Sequence, residues 1–155
     1  MTFGMNRVTA AGAALALLLA APASLAQDRP ITGGTSGGVQ GTGVSASTSG
    51  SGTTTDSSLG VTGSAEATAV DGRAGTRSTA NLNERRAMQN STAYARTDDE
   101  MARSRTRTVV REGEEVRSRT TSMYRDSDGG PPVRERECTV ATATGTVTTD
   151  CRGPR

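Results

Sequence analysis

The chain has 155 residues, 22% charged and 2% aromatic, with no histidine, no tryptophan and a formal net charge of +2. Without histidine there are no Ser-His or Cys-His nucleophile pairs, no imidazole metal ligands and no switch titrating near neutral pH, so no catalytic residue and no cofactor is expected. All 18 basic residues are arginine, which fits either a use for planar, permanently charged forks or codon preference in a GC-rich genome.

Residues 1–26 read as a signal peptide. Arg7 precedes an apolar run from Val8 to Ala21, Pro22 breaks it, and Ser24-Leu25-Ala26 sets small residues at the minus-three and minus-one positions of a cleavage site before Gln27. The run is short for a membrane span. The expected location is therefore exported, in the periplasm or outside a bacterial cell.

Between Gln27 and Ala80, Gly, Ser and Thr fill 32 of 54 positions. Burying so little apolar surface does not offset the entropy of ordering a chain, so 27–80 is expected to be a disordered tether. After residue 26 there are two Leu, one Ile and ten Val, with no Phe or Trp, which points the same way.

Residues 81–102 are the one stretch with a helical pattern. Ala80, Ala87, Tyr94 and Met101 recur every seven residues, and Asn81-Leu82-Asn83-Glu84 and Thr97-Asp98-Asp99-Glu100 have the spacing of capping boxes. A short helix, interrupted at Asn90-Ser91-Thr92, is expected.

Met101 to Arg125 carries seven arginines against three glutamates. Arg103-Ser104-Arg105-Thr106 recurs as Arg117-Ser118-Arg119-Thr120, and Glu112-Gly113-Glu114-Glu115 lies between the copies. Alternating long charged and short hydroxylated side chains have the period of a strand, so the layout is a β-hairpin. A loop centred beside Gly113 puts Arg103, Arg105 and Arg107 on one face and Arg117 and Arg119 on the other. A loop centred on Gly113 sets Arg107 opposite Arg119 and Val109 opposite Arg117. Like charges directly opposite are destabilising, so the first register is expected unless an anion neutralises the row.

Asp126-Ser127-Asp128-Gly129-Gly130 resembles the start of a calcium loop, but Pro131 stands where the bend needs glycine, so no metal is expected. From Val133 onward a second hairpin turns at Thr144-Gly145, pairing Ala143 with Thr146, Val140 with Thr149 and Cys138 with Cys151. Two cysteines in an exported chain read as a structural disulfide, here Cys138–Cys151.

The expected fold is thus a mostly disordered exported chain with a small all-β carboxy-terminal module. That module spans 103–155, an antiparallel meander of about four strands with one disulfide, preceded by the short helix. The expected function is non-enzymatic. Arg103, Arg105, Arg107, Arg117 and Arg119 are the candidate anion-binding residues, directed at an anionic envelope polymer, an acidic lipid or an acidic protein. No small-molecule substrate suggests itself, and nucleic acid is disfavoured because aromatics are not interleaved with the arginines. The alternative is an assembly protein that self-associates through exposed strand edges.

Overall fold

The computed structural model describes residues 7–11, 15–19, 29–126, 128–149 and 151, so the expected cleavage site lies outside the described residues. The described chain is all-β: eleven strands and no helix. β1 (Arg7–Ala11), β2 (Leu15–Leu19), β3 (Ile31–Gln40), β4 (Val44–Thr54) and β5 (Leu59–Val70) form one antiparallel sheet. Its order is β1-β5-β4-β3, with β2 also pairing along β5. β6 (Arg73–Asn83), β7 (Arg86–Arg96), β8 (Met101–Arg111), β9 (Glu115–Arg125), β10 (Val133–Thr142) and β11 (Gly145–Thr149) form a second, six-stranded meander in sequence order.

The sheets pack face to face, β4 against β8 and β7, β3 against β9, β5 against β7 and β6. Asp71-Gly72 joins them. Asp71 has a positive φ of 54°, and Gly72 lies so close to the Arg96 carbonyl that a Cβ there would overlap it.

The expected tether is corrected by this arrangement, because residues 31–83 supply four of the long strands. In β3, β4 and β5 every second residue faces the second sheet, and many of these are themselves glycine or threonine, among them Thr35, Thr48, Gly50 and Gly52. Along β5, Leu59, Val61, Gly63, Ala65, Ala67 and Ala69 are buried while the residues that alternate with them are not. The interior has two apolar ends. Val44, Ala46, Ala67, Ala93, Ala95 and Ala102 belong to one, and Ile31, Leu59, Val61, Val110, Val116 and Ala141 to the other.

Between these ends the core is hydroxyl. Thr35 bonds Ser118 and Thr120, each at 2.8 Å, and Thr48 bonds Ser104 at 2.7 Å and Thr106 at 2.8 Å, both across the two sheets. Within the second sheet Thr106 meets Thr120 at 2.6 Å and Thr108 meets Ser118 at 2.9 Å. Among the described residues no buried side-chain polar atom lacks a partner. Burying a hydroxyl is costly only when it is unpaired, so these small polar residues order the stretch that composition alone consigns to disorder.

The expected helix is also replaced. Residues 81–102 hold the end of β6, all of β7 and the start of β8. The first cap-like sequence ends β6 and enters a hairpin turn, where Asn83 Oδ1 accepts the Arg85 N–H at 3.1 Å, and the second is itself a turn, where Thr97 Oγ1 accepts the Glu100 N–H at 3.0 Å. The same side-chain-to-backbone bonds start helices and turns. What decides between them here is the burial of Ala87, Gln89, Ser91, Ala93 and Ala95 at a period of two.

Candidate functional site

The arginine hairpin adopts the register with Gly113 at its centre, not the expected one: Val110 faces Val116, Thr106 faces Thr120, and Arg107 faces Arg119. Gly113 has φ 61°, the left-handed residue of a three-residue loop. Its N–H docks on the first sheet, at 3.1 Å from the Thr55 carbonyl and 3.1 Å from Thr54 Oγ1. A cross-strand pair of like charges costs about 0.2–1 kcal/mol. A one-residue slip would turn one strand's arginines under the first sheet, where an unpaired buried charge costs about 3–5 kcal/mol. The covering sheet decides the register, and the four-strand expectation contained no such cover.

In consequence Arg103, Arg105, Arg107, Arg117 and Arg119 all lie on the outer face of the second sheet. Cross-strand pairing adds more: every arginine from Arg73 to Arg136 other than Arg85 is on that face. Glu115 is the one carboxylate at a described strand position there. It accepts from Arg117 Nε at 2.7 Å and sits 3.3 Å from Arg111 Nη1. The remaining acidic residues are mostly in turns, so a net charge of +2 conceals one strongly basic face.

The densest part of the face is a groove of about 460 Å³ lined by Arg103, Arg105, Arg107, Arg119, Arg134 and Arg136, with Thr121 and Met123 along β9. No carboxylate lines it. Arg107 Nη2 lies 3.3 Å from Met88 Sδ, a weak acceptor. No ion pair is formed by these six arginines among the described residues. Arg134 and Arg136 are additions to the expected set. Their signal was the same alternation, in Val133-Arg134-Glu135-Arg136-Glu137, with the arginines falling opposite Met123 and Thr121.

The aromatic next to the arginines is Tyr94, opposite Arg103 and half exposed. Tyr124 instead points inward, and its hydroxyl donates to Glu100 Oε1 at 2.6 Å. Glu100 also accepts the Thr42 N–H at 3.0 Å and the Gly43 N–H at 2.7 Å, binding the β3–β4 turn to the second sheet. The Tyr124 bond, with the backbone N–H groups, holds the Glu100 carboxyl below the usual range against a smaller opposing effect of burial. The same bond raises Tyr124 to about 12.

The disulfide joins Cys138 to Cys151 with the Cα atoms 5.3 Å apart. The register differs from the expected one by two residues: Val140 pairs with Val147, Cys138 with Thr149, and Ala143-Thr144 form the turn. A shift of two keeps every side chain on its face, so Cys138 stays on the outer face beside Arg119.

The outer face of the first sheet is unlike this one. It is mainly a ladder of hydroxyls, in which Ser45–Thr68, Ser49–Ser64 and Ser51–Thr62 pair across strands at 2.6–2.8 Å, with Glu66 among them opposite Ser47. Comparisons of the chain with protein-family models, with curated proteins and with solved structures find no match.

Proposed function

We propose that this is a non-enzymatic, exported bacterial envelope protein whose arginine-faced sheet binds anionic surfaces, either acidic lipid or an acidic envelope polymer. The observation that carries the reading is the clustering of the strand arginines on one face, with Glu115 the one carboxylate at a described strand position there. Like charges on neighbouring strands repel, so the face is stabilised by whatever anion covers it. Arginine suits such a ligand because its fork donates two parallel hydrogen bonds to a phosphate or carboxylate. Export is supported by the amino-terminal sequence, and a disulfide is at home in an oxidising compartment.

The test compares two double variants that lose equal charge. Arg105→Gln/Arg119→Gln removes two groove arginines, and Arg29→Gln/Arg85→Gln removes two off the face. The first should reduce retention on anionic vesicles, in a salt-dependent manner, much more than the second. Equal retention would refute the reading.

One observation favours a second reading, assembly through strand edges. The edge of β5 is paired only by β1 and β2, which signal-peptide cleavage would remove, leaving unpaired backbone groups. Concentration-dependent association of residues 27–155 that persists in high salt would favour this reading over anion binding.

A further inference from the structure

Resting on the anion-binding reading, we infer that the groove between β8 and β10 receives a phosphomonoester borne on a lipid surface, with Arg119 as the residue that distinguishes it from a phosphodiester. The groove is built in rungs. Arg103 and Arg134 flank Met123, and Arg105 and Arg136 flank Thr121. The flanking residues start about 9.4–9.8 Å apart, two strand spacings, and successive rungs are separated by about 6.8 Å. In the next rung the floor position is itself an arginine, Arg119, with Arg107 on one side and Cys138 on the other.

The floor therefore changes from Met123 and Thr121 to the long side chain of Arg119. Such an end suits a terminal group better than a passing polymer. At that end Arg107, Arg119 and the diagonal neighbours Arg105 and Arg136 all line the groove. A phosphomonoester offers three terminal oxygens and a charge of about −1.5 to −2 at neutral pH. A diester offers two oxygens and a single charge, and so engages fewer of those guanidinium groups.

The surroundings point to a lipid source. Of the large apolar side chains exposed among the described residues, Tyr94, Val140 and Val147 share this face, and Met123 lines the groove itself. A basic sheet face with exposed apolar side chains suits a headgroup layer, where charge and apolar contact are both met.

The experiment is vesicle co-flotation of the full exported chain. Vesicles containing phosphatidic acid, a monoester, are compared with vesicles containing phosphatidylglycerol, a diester, at matched surface potential. The wild type should bind the monoester vesicles roughly tenfold more tightly, the size of one further charge-assisted hydrogen bond. Arg119→Gln should abolish that preference by lowering monoester binding more than diester binding, and Arg73→Gln/Arg77→Gln should lower both in parallel. Because the protein has no histidine, the preference should fade as the monoester takes up its second proton near pH ~6.

Equal wild-type binding to the two vesicles overturns this inference and leaves the anion-binding face standing. So does a preference that survives Arg119→Gln. Displacement of the protein by millimolar free phosphate as effectively as by the lipid refutes the lipid source. Binding to neither vesicle refutes the anion-binding reading and this inference together.

Discussion

Replacing Thr120 by valine tests whether hydroxyl pairing, not apolar burial, holds the middle of the sandwich together. Thr120 is 2% exposed, and its Oγ1 lies 2.8 Å from Thr35 Oγ1 and 2.6 Å from Thr106 Oγ1. With one proton per hydroxyl, a single chain of donors satisfies the core. It runs Thr108 to Ser118, Thr35, Thr120, Thr106, Thr48 and Ser104, and ends on the Gly37 carbonyl at 2.9 Å. Valine has nearly the shape of threonine, so the substitution breaks the chain without opening a cavity. Thr35 loses its acceptor and must turn back toward Ser118, whose remaining outlet is the Gly50 carbonyl at 3.4 Å.

A buried donor left unsatisfied costs about 1–3 kcal/mol. For a chain of this size that corresponds to a fall in Tm of about 4–12 °C, read by circular dichroism or calorimetry. Thr121→Val, on the outer face one residue away, should stay within about 0.5 kcal/mol of wild type. The double variant Thr35→Val/Thr120→Val should cost less than the sum of its parts, because removing both partners leaves fewer orphaned groups. A Thr120→Val protein as stable as wild type would refute the argument.

Reduction of Cys138–Cys151, which closes a sequence separation of 13, should cost about 3 kcal/mol if the hairpin stays native-like, and hydrogen exchange should rise first in β11. The tie between Glu100 and Tyr124 predicts two pH limits. Glu100 has a lowered pKa, so its contribution is complete above its ordinary value of 4.5 and is lost as pH falls through the folded value; Glu100→Gln should flatten that acid limb. Tyr124 is raised from 10.0 to about 12, so its contribution is complete below pH 10.0 and is lost as pH rises toward about 12; Tyr124→Phe should remove that alkaline limb. At Gly52 a Cβ would overlap Val110 Cγ2 and come within 3.0 Å of Val116 Cγ1, so Gly52→Ala should destabilise by about 1–3 kcal/mol in thermal melts, whereas Gly130→Ala, with nothing within 4 Å, should not.

Much of the carboxy-terminal half was legible because charge and hydroxyl alternate there at the strand period. The arginine hairpin and the Cys138–Cys151 bridge follow from local pattern alone. The register of that hairpin did not, since the decisive cost is burial beneath β3 and β4, strands made of residues whose composition argues for disorder. Leu59-x-Val61 and Ala65-x-Ala67-x-Ala69 carried the strand period, yet a count of large apolar residues hides it because the buried side chains are small. The seven-residue recurrence of Ala87, Tyr94 and Met101 misled for a related reason: it gives one thin stripe, whereas Ala87, Gln89, Ser91, Ala93 and Ala95 give an unbroken buried row. Arg134 and Arg136 enter the site through pairing of β10 with β9, which the expected meander implied; the register that sets them opposite Met123 and Thr121 is what sequence spacing does not reveal.

The most direct test of the central claim is an NMR map of the exported chain titrated with anionic bicelles, following backbone amides and arginine Nε–H groups together. Perturbations confined to the outward positions of β8, β9 and β10, led by Arg105, Arg119 and Arg136 and reversed by salt, are the predicted result. Perturbations spread evenly over both sheets, or centred on the serine and threonine ladder of β4 and β5, would contradict it.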